Sequence, residues 1–84
     1  MKDLEILKKK ILYRSNYRGT KEMDILLSSF VKKNIDIFSE SQLLELNQFL
    51  NFEDEVIYNY IYKNNSNKDI EKNEISKLLK EFKI

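Results

Sequence analysis

The chain has 84 residues, 35% of them charged, and a formal net charge of +1 at pH 7. It contains no Cys and no His, which excludes disulfides, thiol catalysis, the commonest general base and the commonest transition-metal ligand. A chain of this length holds one modest core, so we expect a single helical domain over residues 1–84 that is not an enzyme and binds no metal.

The charge is unevenly distributed. Residues 1–33 carry nine Lys or Arg against four acids, residues 34–62 carry six acids and no Lys or Arg, and residues 63–84 carry six Lys against four acids. The basic first third could bind nucleic acid, but the acidic middle would then have to face away from the phosphates. Two complementary solvated faces within one fold are the simpler interpretation.

Apolar residues recur with helical spacing almost throughout, which predicts an all-α bundle of five short helices. Helix one carries a stripe of Leu4, Leu7 and Ile11, with Leu12 beside it. Helix two follows the spacing of a helix with one buried face. Its predicted core residues are Met23, Leu26, Leu27, Phe30 and Val31.

The second half of the chain predicts three more helices. Ser39 and Gln42 have capping-box spacing, which predicts the start of helix three. Asn51 is the predicted N-cap of helix four, which begins with acidic residues near its positive end. A polar stretch at 64–68 predicts a flexible link, and the last helix begins at about Asp69. The predicted buried positions of these helices are Leu43, Leu46, Leu50, Val56, Ile57, Tyr60, Ile61, Ile75, Leu78, Leu79 and Phe82.

Two tyrosines lie off the apolar stripe of helix four. Tyr58 and Tyr62 are one helical turn apart, so they share one side of the helix. We expect them to be half-exposed packing residues, with a role in a contact surface as the alternative.

The sequence also bears on location. No apolar run has transmembrane length, and the first residues mix acids with dispersed lysines, unlike a signal or transit peptide. We therefore expect a cytoplasmic, bacterial protein without direct membrane insertion, from an organism whose coding bias favours Lys, Ile and Asn.

The segment 14–24 holds the only glycine of the chain, Gly19, and its two arginines, Arg14 and Arg18. Against thirteen lysines, these two arginines indicate a need for the planar guanidinium, which binds carboxylates, phosphates or carbonyls with a fork of donors. In a simple helix junction, Gly19 would be the C-cap of helix one and both arginines would lie at its negative end. Glu22 would then lie at the positive end of helix two or pair with Arg18.

The same segment is also a candidate docking corner. Asp24 adds a second acid to it, and Tyr13 and Tyr17 lie nearby. The residue pattern by itself favours the helix junction, and the docking interpretation stays open beside it.

A motif at this corner points to a family. The pattern R-G-x-x-E, followed by a hydrophobic residue and Asp, is matched in order by Arg18, Gly19, Glu22, Met23 and Asp24. With the preceding residues 10–15 and the acidic stretch 50–61, the sequence resembles the SdhE-type FAD assembly factor family of succinate dehydrogenase. The resemblance runs from about residue 10 to residue 63. It departs from the family where relatives often carry a Pro and a Trp, at Glu55 and Tyr60 of this chain.

The resemblance implies a five-helix bundle that binds the flavoprotein subunit of succinate dehydrogenase, with fumarate reductase as a further client. The bundle would promote covalent attachment of FAD to a histidine of that subunit, and we expect it to be a monomer when free, with no stably bound cofactor and no nucleic-acid partner. The implied partner contacts are Arg18, Gly19 and Glu22, followed by Arg14, Tyr17 and Asp24.

Two alternatives remain beside this implication. One is a nucleic-acid-binding or antitoxin-like module that uses basic helix one and the turn at Gly19. The other is a general interaction domain with an unrelated protein partner.

Overall fold

The computed structural model describes residues 2–16, 18–65 and 67–83. Within these ranges the chain forms no strand and six helices, which are α1 (Lys2–Asn16), α2 (Lys21–Asn34), α3 (Glu40–Phe49), α4 (Asp54–Tyr62), α5 (Lys68–Lys72) and α6 (Glu74–Lys83). The all-α prediction is confirmed. The predicted number of five helices is wrong, because the segment expected to form one last helix forms two.

Asn73 separates α5 from α6. Its backbone is extended, with φ −82° and ψ 123°, so α5 ends there. Its side-chain oxygen accepts a hydrogen bond from the Ile75 N–H at 2.8 Å, and its side-chain nitrogen donates to the Glu45 carbonyl of α3 at 3.0 Å. The Asn73 side chain is buried, and both of its polar atoms have a hydrogen-bond partner. These two bonds start α6 and connect Asn73 to α3.

The starts of α2, α3 and α5 have side-chain caps, from Thr20, Ser39 and Asn67. The Ser39 hydroxyl accepts from the Gln42 N–H at 3.2 Å, and the Gln42 side chain accepts from the Ser39 N–H at 2.9 Å, so the predicted capping box is confirmed. At the start of α2, the Thr20 hydroxyl accepts from the Met23 N–H at 3.2 Å. Each cap satisfies a backbone donor that the helix leaves unpaired.

The predicted N-cap of α4 is wrong. Glu53 holds the N-cap position, without a side-chain hydrogen bond, and the Asn51 side-chain oxygen accepts from the Arg14 guanidinium instead. The negative charges of Asp54 and Glu55 lie in the first turn of α4, where they favour the positive end of the helix.

The end of α4 is made by an asparagine in the left-handed region. Asn64 has φ 56°, and the Asn65 N–H donates to the Asn59 carbonyl at 2.9 Å. A left-handed residue of this kind, usually Gly and sometimes Asn, commonly ends a helix. The stretch 64–68 was predicted to be a flexible link. Lys68 of that stretch belongs to α5, Ser66 lies outside the described residues, and the flexibility stays a prediction.

One hydrophobic cluster takes buried side chains from all six helices. Helix α1 packs against α2 and α3, while α6 packs against α3, α5, α2 and α4. The Phe30 ring of α2 meets the Phe82 ring of α6 edge to face, with centroids 5.4 Å apart. Val56, Leu78 and Phe82, predicted as buried, are half-buried. The buried apolar residues are Ile11, Met23, Leu26, Leu27, Phe30, Val31, Ile35, Leu43, Leu46, Phe49, Leu50, Ile57, Tyr60, Ile61, Ile70, Ile75 and Leu79.

Within the described residues, none of the helices combines the length and the apolar character needed to cross a bilayer.

Candidate functional site

Arg18 lies in the connection between α1 and α2 and binds the segment that links α3 to α4. Its Nε donates to Asp54 Oδ1 at 2.7 Å, Nη1 donates to the Leu50 carbonyl at 3.0 Å, and Nη2 donates to the Phe52 carbonyl at 2.8 Å. The Arg18 and Asp54 side chains are only 11% and 18% exposed. Three donors in a fixed fork meet three acceptors at once, which explains why Arg stands here rather than Lys.

Gly19 approaches the same carboxylate through its backbone. Its N–H donates to Asp54 Oδ2, so one carboxylate binds both residues that begin the motif. A Cβ on Gly19 would lie 3.0 Å from Asp54 Oδ2, closer than an ordinary van der Waals contact. No described glycine has a positive φ, and α1 ends at Asn16. The predicted C-cap role of Gly19 is therefore wrong, and the close approach of Asp54 is the reason for the glycine.

Arg14 binds the end of α3 from the side of α1. Its Nη1 donates to the Asn47 carbonyl at 3.0 Å and to Asn47 Oδ1 at 2.7 Å, while Nη2 donates to Asn51 Oδ1. Helix α3 has no basic residue of its own in its last turn, where a cation is favourable. The helix-junction interpretation placed both arginines at the end of helix one. Arg14 does lie in the last turn of α1, whereas Arg18 lies beyond that helix, and the two guanidinium groups bind the last turn of α3 and the segment after it.

The remaining predicted site residues differ in exposure. Glu22 is exposed in the first turn of α2, and the predicted pairing of Glu22 with Arg18 is wrong because Arg18 pairs with Asp54. Asp24 is half-buried in the same turn, and Tyr17 lies outside the described residues. The motif thus has an inward part, which is the Arg18 guanidinium, and an outward part at Gly19 and Glu22.

A groove between α2 and α4 adjoins this corner. It consists of two neighbouring depressions of about 470 Å³ and 440 Å³. The rings of Tyr58 and Tyr62, 4.8 Å apart between centroids, place one tyrosine in each depression. We call the whole feature the α2–α4 groove. The first depression is lined by Gly19, Thr20, Met23, Asp54, Glu55 and Tyr58, and the second by Glu22, Ile25, Leu26, Ser29, Tyr62 and Phe82.

Tyr62 and Glu22 face each other across the second depression. Burial raises the pKa of the Tyr62 phenol above its usual range. The charge of Glu22 and its side-chain hydrogen bond raise that pKa further, and so does the neighbouring Tyr58. The protonated phenol is thus the hydrogen-bonding neighbour of the Glu22 carboxylate across the depression. This contact joins α2 to α4 at the exposed end of the motif.

Two residues of this site were not predicted from the sequence. Asp54 was interpreted only as an acid at a helix start, and nothing local indicates its contact with Arg18, 36 residues away. Tyr62 was predicted as half-exposed, which is confirmed, but its partner was not predicted. The one available signal was the pair Tyr58 and Tyr62, at helical spacing and off the apolar stripe.

Residues 9–83 match the profile of a family described as flavinator of succinate dehydrogenase. The chain belongs to this family. The resemblance indicated by the R-G-x-x-E motif is thus confirmed, and the match extends through α5 and α6, where the sequence alone offered little. The nucleic-acid-binding and antitoxin-like alternative is not favoured, since both arginines are also bound within the fold.

Curated relatives carry the name succinate dehydrogenase assembly factor 2, mitochondrial. The protein of Dictyostelium discoideum is 46% identical over 61 residues, which cover 73% of this chain and 43% of that relative. The Meyerozyma guilliermondii protein is 45% identical over 60 residues, with 71% and 44% coverage. The Danio rerio protein is 36% identical over 81 residues, with 94% and 51% coverage. The chain spans about half the length of these relatives or less, and no solved structure matches it.

Proposed function

We propose that this protein is an assembly factor that binds the flavoprotein subunit of succinate dehydrogenase and promotes covalent attachment of FAD to that subunit. Membership of the flavinator family over residues 9–83 supports the proposal. The structural observation that carries it is the corner at Gly19. There Asp54 binds both Arg18 and the Gly19 backbone, and the exposed edge of the motif is held beside an open groove.

Different residues of the motif serve stability and partner recognition. Three donors of the Arg18 guanidinium bind acceptors within the fold. This supports a structural role for the Arg18 side chain rather than the direct partner contact that the motif suggested. The exposed Gly19 backbone and the Glu22 carboxylate are the parts open to a partner. Asp24 and Arg14 support the corner from α2 and α1, and the α2–α4 groove extends the contact surface.

The protein would act through binding and orientation. The chain has no His, so the histidine that receives the flavin belongs to the partner. Flavin attachment is chemistry of the cofactor and of the subunit that carries it. A helper accelerates such a reaction by holding the partner's histidine and flavin ring in reactive geometry. We propose accordingly that the protein has no catalytic residue and holds no FAD of its own.

The finer parts of the proposal concern state, clients and place. We propose a monomer when free, with the flavoprotein subunit of fumarate reductase as a second client. The names of the relatives refer to mitochondria, whereas the sequence predicts a bacterial cytoplasm. The proposal needs only that the protein and its flavoprotein partner share a compartment.

Co-expression with the cognate flavoprotein subunit tests the proposal. Covalent flavin remains on the subunit after denaturation, so in-gel fluorescence measures it directly. We expect strong fluorescence when both proteins are present and a clear loss when this protein is omitted. Equal rate and extent of attachment without it, with and without oxygen, would overturn the proposal.

A further inference from the structure

Two charged side chains of the R-G-x-x-E motif are exposed, Lys21 at a variable position and Glu22 at a motif-defining position. The Arg18 guanidinium is bound to Asp54 and to two carbonyls, and it is 11% exposed. Glu22 is therefore the motif-defining side chain through which this corner can recognise the flavoprotein subunit by charge. A neighbour that fixes the orientation of this carboxylate should therefore raise the affinity for the flavoprotein subunit.

An isolated glutamate on a helix surface samples several rotamers and loses that freedom when a partner binds it. Glu22 is not isolated, because the Tyr62 side chain lines the same depression from the opposite helix and its phenol is the hydrogen-bonding neighbour of the Glu22 carboxylate. Both residues line the second depression, whose floor is apolar and includes Leu26 and Phe82.

Tyr62 is itself held in place. It is the last residue of α4 and directly follows Ile61, which is 4% exposed. Its ring packs on the Tyr58 ring with centroids 4.8 Å apart and an interplanar angle of 37°. The Lys63 ammonium lies 6.0 Å from the centroid of the Tyr58 ring. A tyrosine fixed by its ring presents its hydroxyl from a defined position.

We propose that Tyr62 is a positioning residue for partner recognition, which holds the Glu22 carboxylate across the α2–α4 groove so that it receives a lysine or arginine of the flavoprotein subunit. This inference rests on the proposed function and names the chemistry of the partner at that site. A carboxylate has about four acceptor positions, so the bond from Tyr62 leaves room for a cationic donor. The apolar floor of the depression suits the methylene stem of such a side chain.

The charge around the groove agrees with a cationic partner group. Glu55 lines the adjoining depression beside Asp54, whose carboxylate is already bound by Arg18 and the Gly19 N–H, and neither depression is lined by a Lys or Arg. A basic side chain that enters between Glu22 and Glu55 meets acids on both helices. An acidic partner group would be repelled at the same place.

The test is the affinity of the full chain for the cognate flavoprotein subunit, measured by calorimetry. Tyr62→Phe removes the hydroxyl and keeps the ring, so we expect unchanged thermal unfolding and an affinity about three- to tenfold lower. In a Glu22→Ala background the same substitution should have no further effect, because Tyr62 acts through Glu22. Tyr60→Phe removes a phenol hydroxyl of the same helix outside both depressions, so it is the matched control and should bind like the wild type.

A salt series tests the charge of the partner group. Added salt should weaken wild-type binding more steeply than Glu22→Gln binding, because the variant lacks the charge that pairs with a partner cation. An equal salt dependence of the two proteins would overturn the cationic partner.

The outcomes separate the inference from the proposed function. If the wild type binds and Tyr62→Phe binds equally well, the inference fails and the proposed function stands. A loss of affinity that persists in the Glu22→Ala background would show a merely structural role and would also overturn the inference. If the wild type itself does not bind the flavoprotein subunit, the proposed function fails.

Discussion

Asp54 accepts a hydrogen bond from the Arg18 side chain at 2.7 Å through one carboxylate oxygen, while its other oxygen accepts the backbone N–H of the next residue, Gly19. Arg18 and Asp54 lie 36 positions apart in sequence, and the side chains of both are mostly buried. One carboxylate thus fastens the connection between α1 and α2 to the start of α4. The first two residues of the motif are therefore both bound to the first residue of α4.

Removal of the Asp54 carboxylate should destabilise the fold. Asp54→Ala leaves the Arg18 guanidinium and the Gly19 N–H without their acceptor, so we expect the free energy of unfolding to fall by about 2–3 kcal/mol. Urea denaturation measures the change. Glu55→Ala, at the exposed neighbouring position, is the control and should stay within about 0.5 kcal/mol of the wild type. An Asp54→Ala variant as stable as that control would contradict the structural role of the contact.

Arg18→Lys should be far from conservative. A lysine ammonium cannot reach Asp54, the Leu50 carbonyl and the Phe52 carbonyl with the geometry of the guanidinium fork, so we expect a loss of about 1–3 kcal/mol. The measurement is the midpoint of thermal or urea unfolding. Lys21→Arg exchanges the same two side chains at an exposed position and should have little effect. Equal stability of Arg18→Lys and wild type would refute the fork.

The sequence predicted those parts of the fold that depend on local pattern. The apolar stripe from Met23 to Val31 lies within α2 and its residues are buried, and the Ser39 capping box forms as expected. Asn73 was missed, because an asparagine inside a helical pattern signals a break only when its amide has partners elsewhere. One of those partners is the Glu45 carbonyl, 28 residues away.

The site was predicted in position but not in arrangement. Gly19 is the only glycine of the chain, and Arg14 and Arg18 are its only arginines. This rarity indicated where the site lies. The acceptors of those arginines lie 32 to 37 residues further along the chain, beyond the reach of any spacing argument. Asn51 shows the same limit, since it was predicted as a cap and serves Arg14 instead.

Gly19 should affect partner binding more than stability. In Gly19→Ala the new Cβ meets Asp54 Oδ2 at 3.0 Å without an unfavourable φ, so we expect a cost of about 1 kcal/mol as the carboxylate shifts. Ser39→Ala, which removes the cap of α3 on another part of the fold, should cost about the same. The comparison of the two variants in a flavoprotein binding assay separates stability from recognition. We expect a clear loss for Gly19→Ala and none for Ser39→Ala, and equal binding would make Gly19 a structural residue only.

The raised pKa of Tyr62 predicts a pH dependence in the alkaline range. Burial and the neighbouring Glu22 charge make the folded-state pKa of Tyr62 higher than the unfolded value of about 10. The folded state therefore holds this proton more tightly, and its contribution to stability is present below pH 10 and is lost as the pH rises through the folded-state pKa. Phenolate absorbance of wild type minus Tyr62→Phe gives that pKa. Glu22→Gln should lower it, and an unchanged value would exclude the contact between Tyr62 and Glu22.

The central claim is that the face at Gly19 and Glu22 engages the flavoprotein subunit and thereby promotes flavin attachment. Its most direct test is the initial rate of covalent flavin incorporation into the purified subunit, with FAD present and with wild type, Glu22→Gln or Glu40→Gln added. Glu40 is an exposed acid in the first turn of α3, away from the groove, and so matches Glu22 in charge and helix position. We predict that wild type and Glu40→Gln accelerate incorporation equally and that Glu22→Gln loses most of the acceleration. Incorporation that is as fast with Glu22→Gln as with wild type, or that wild type does not accelerate, would contradict the account.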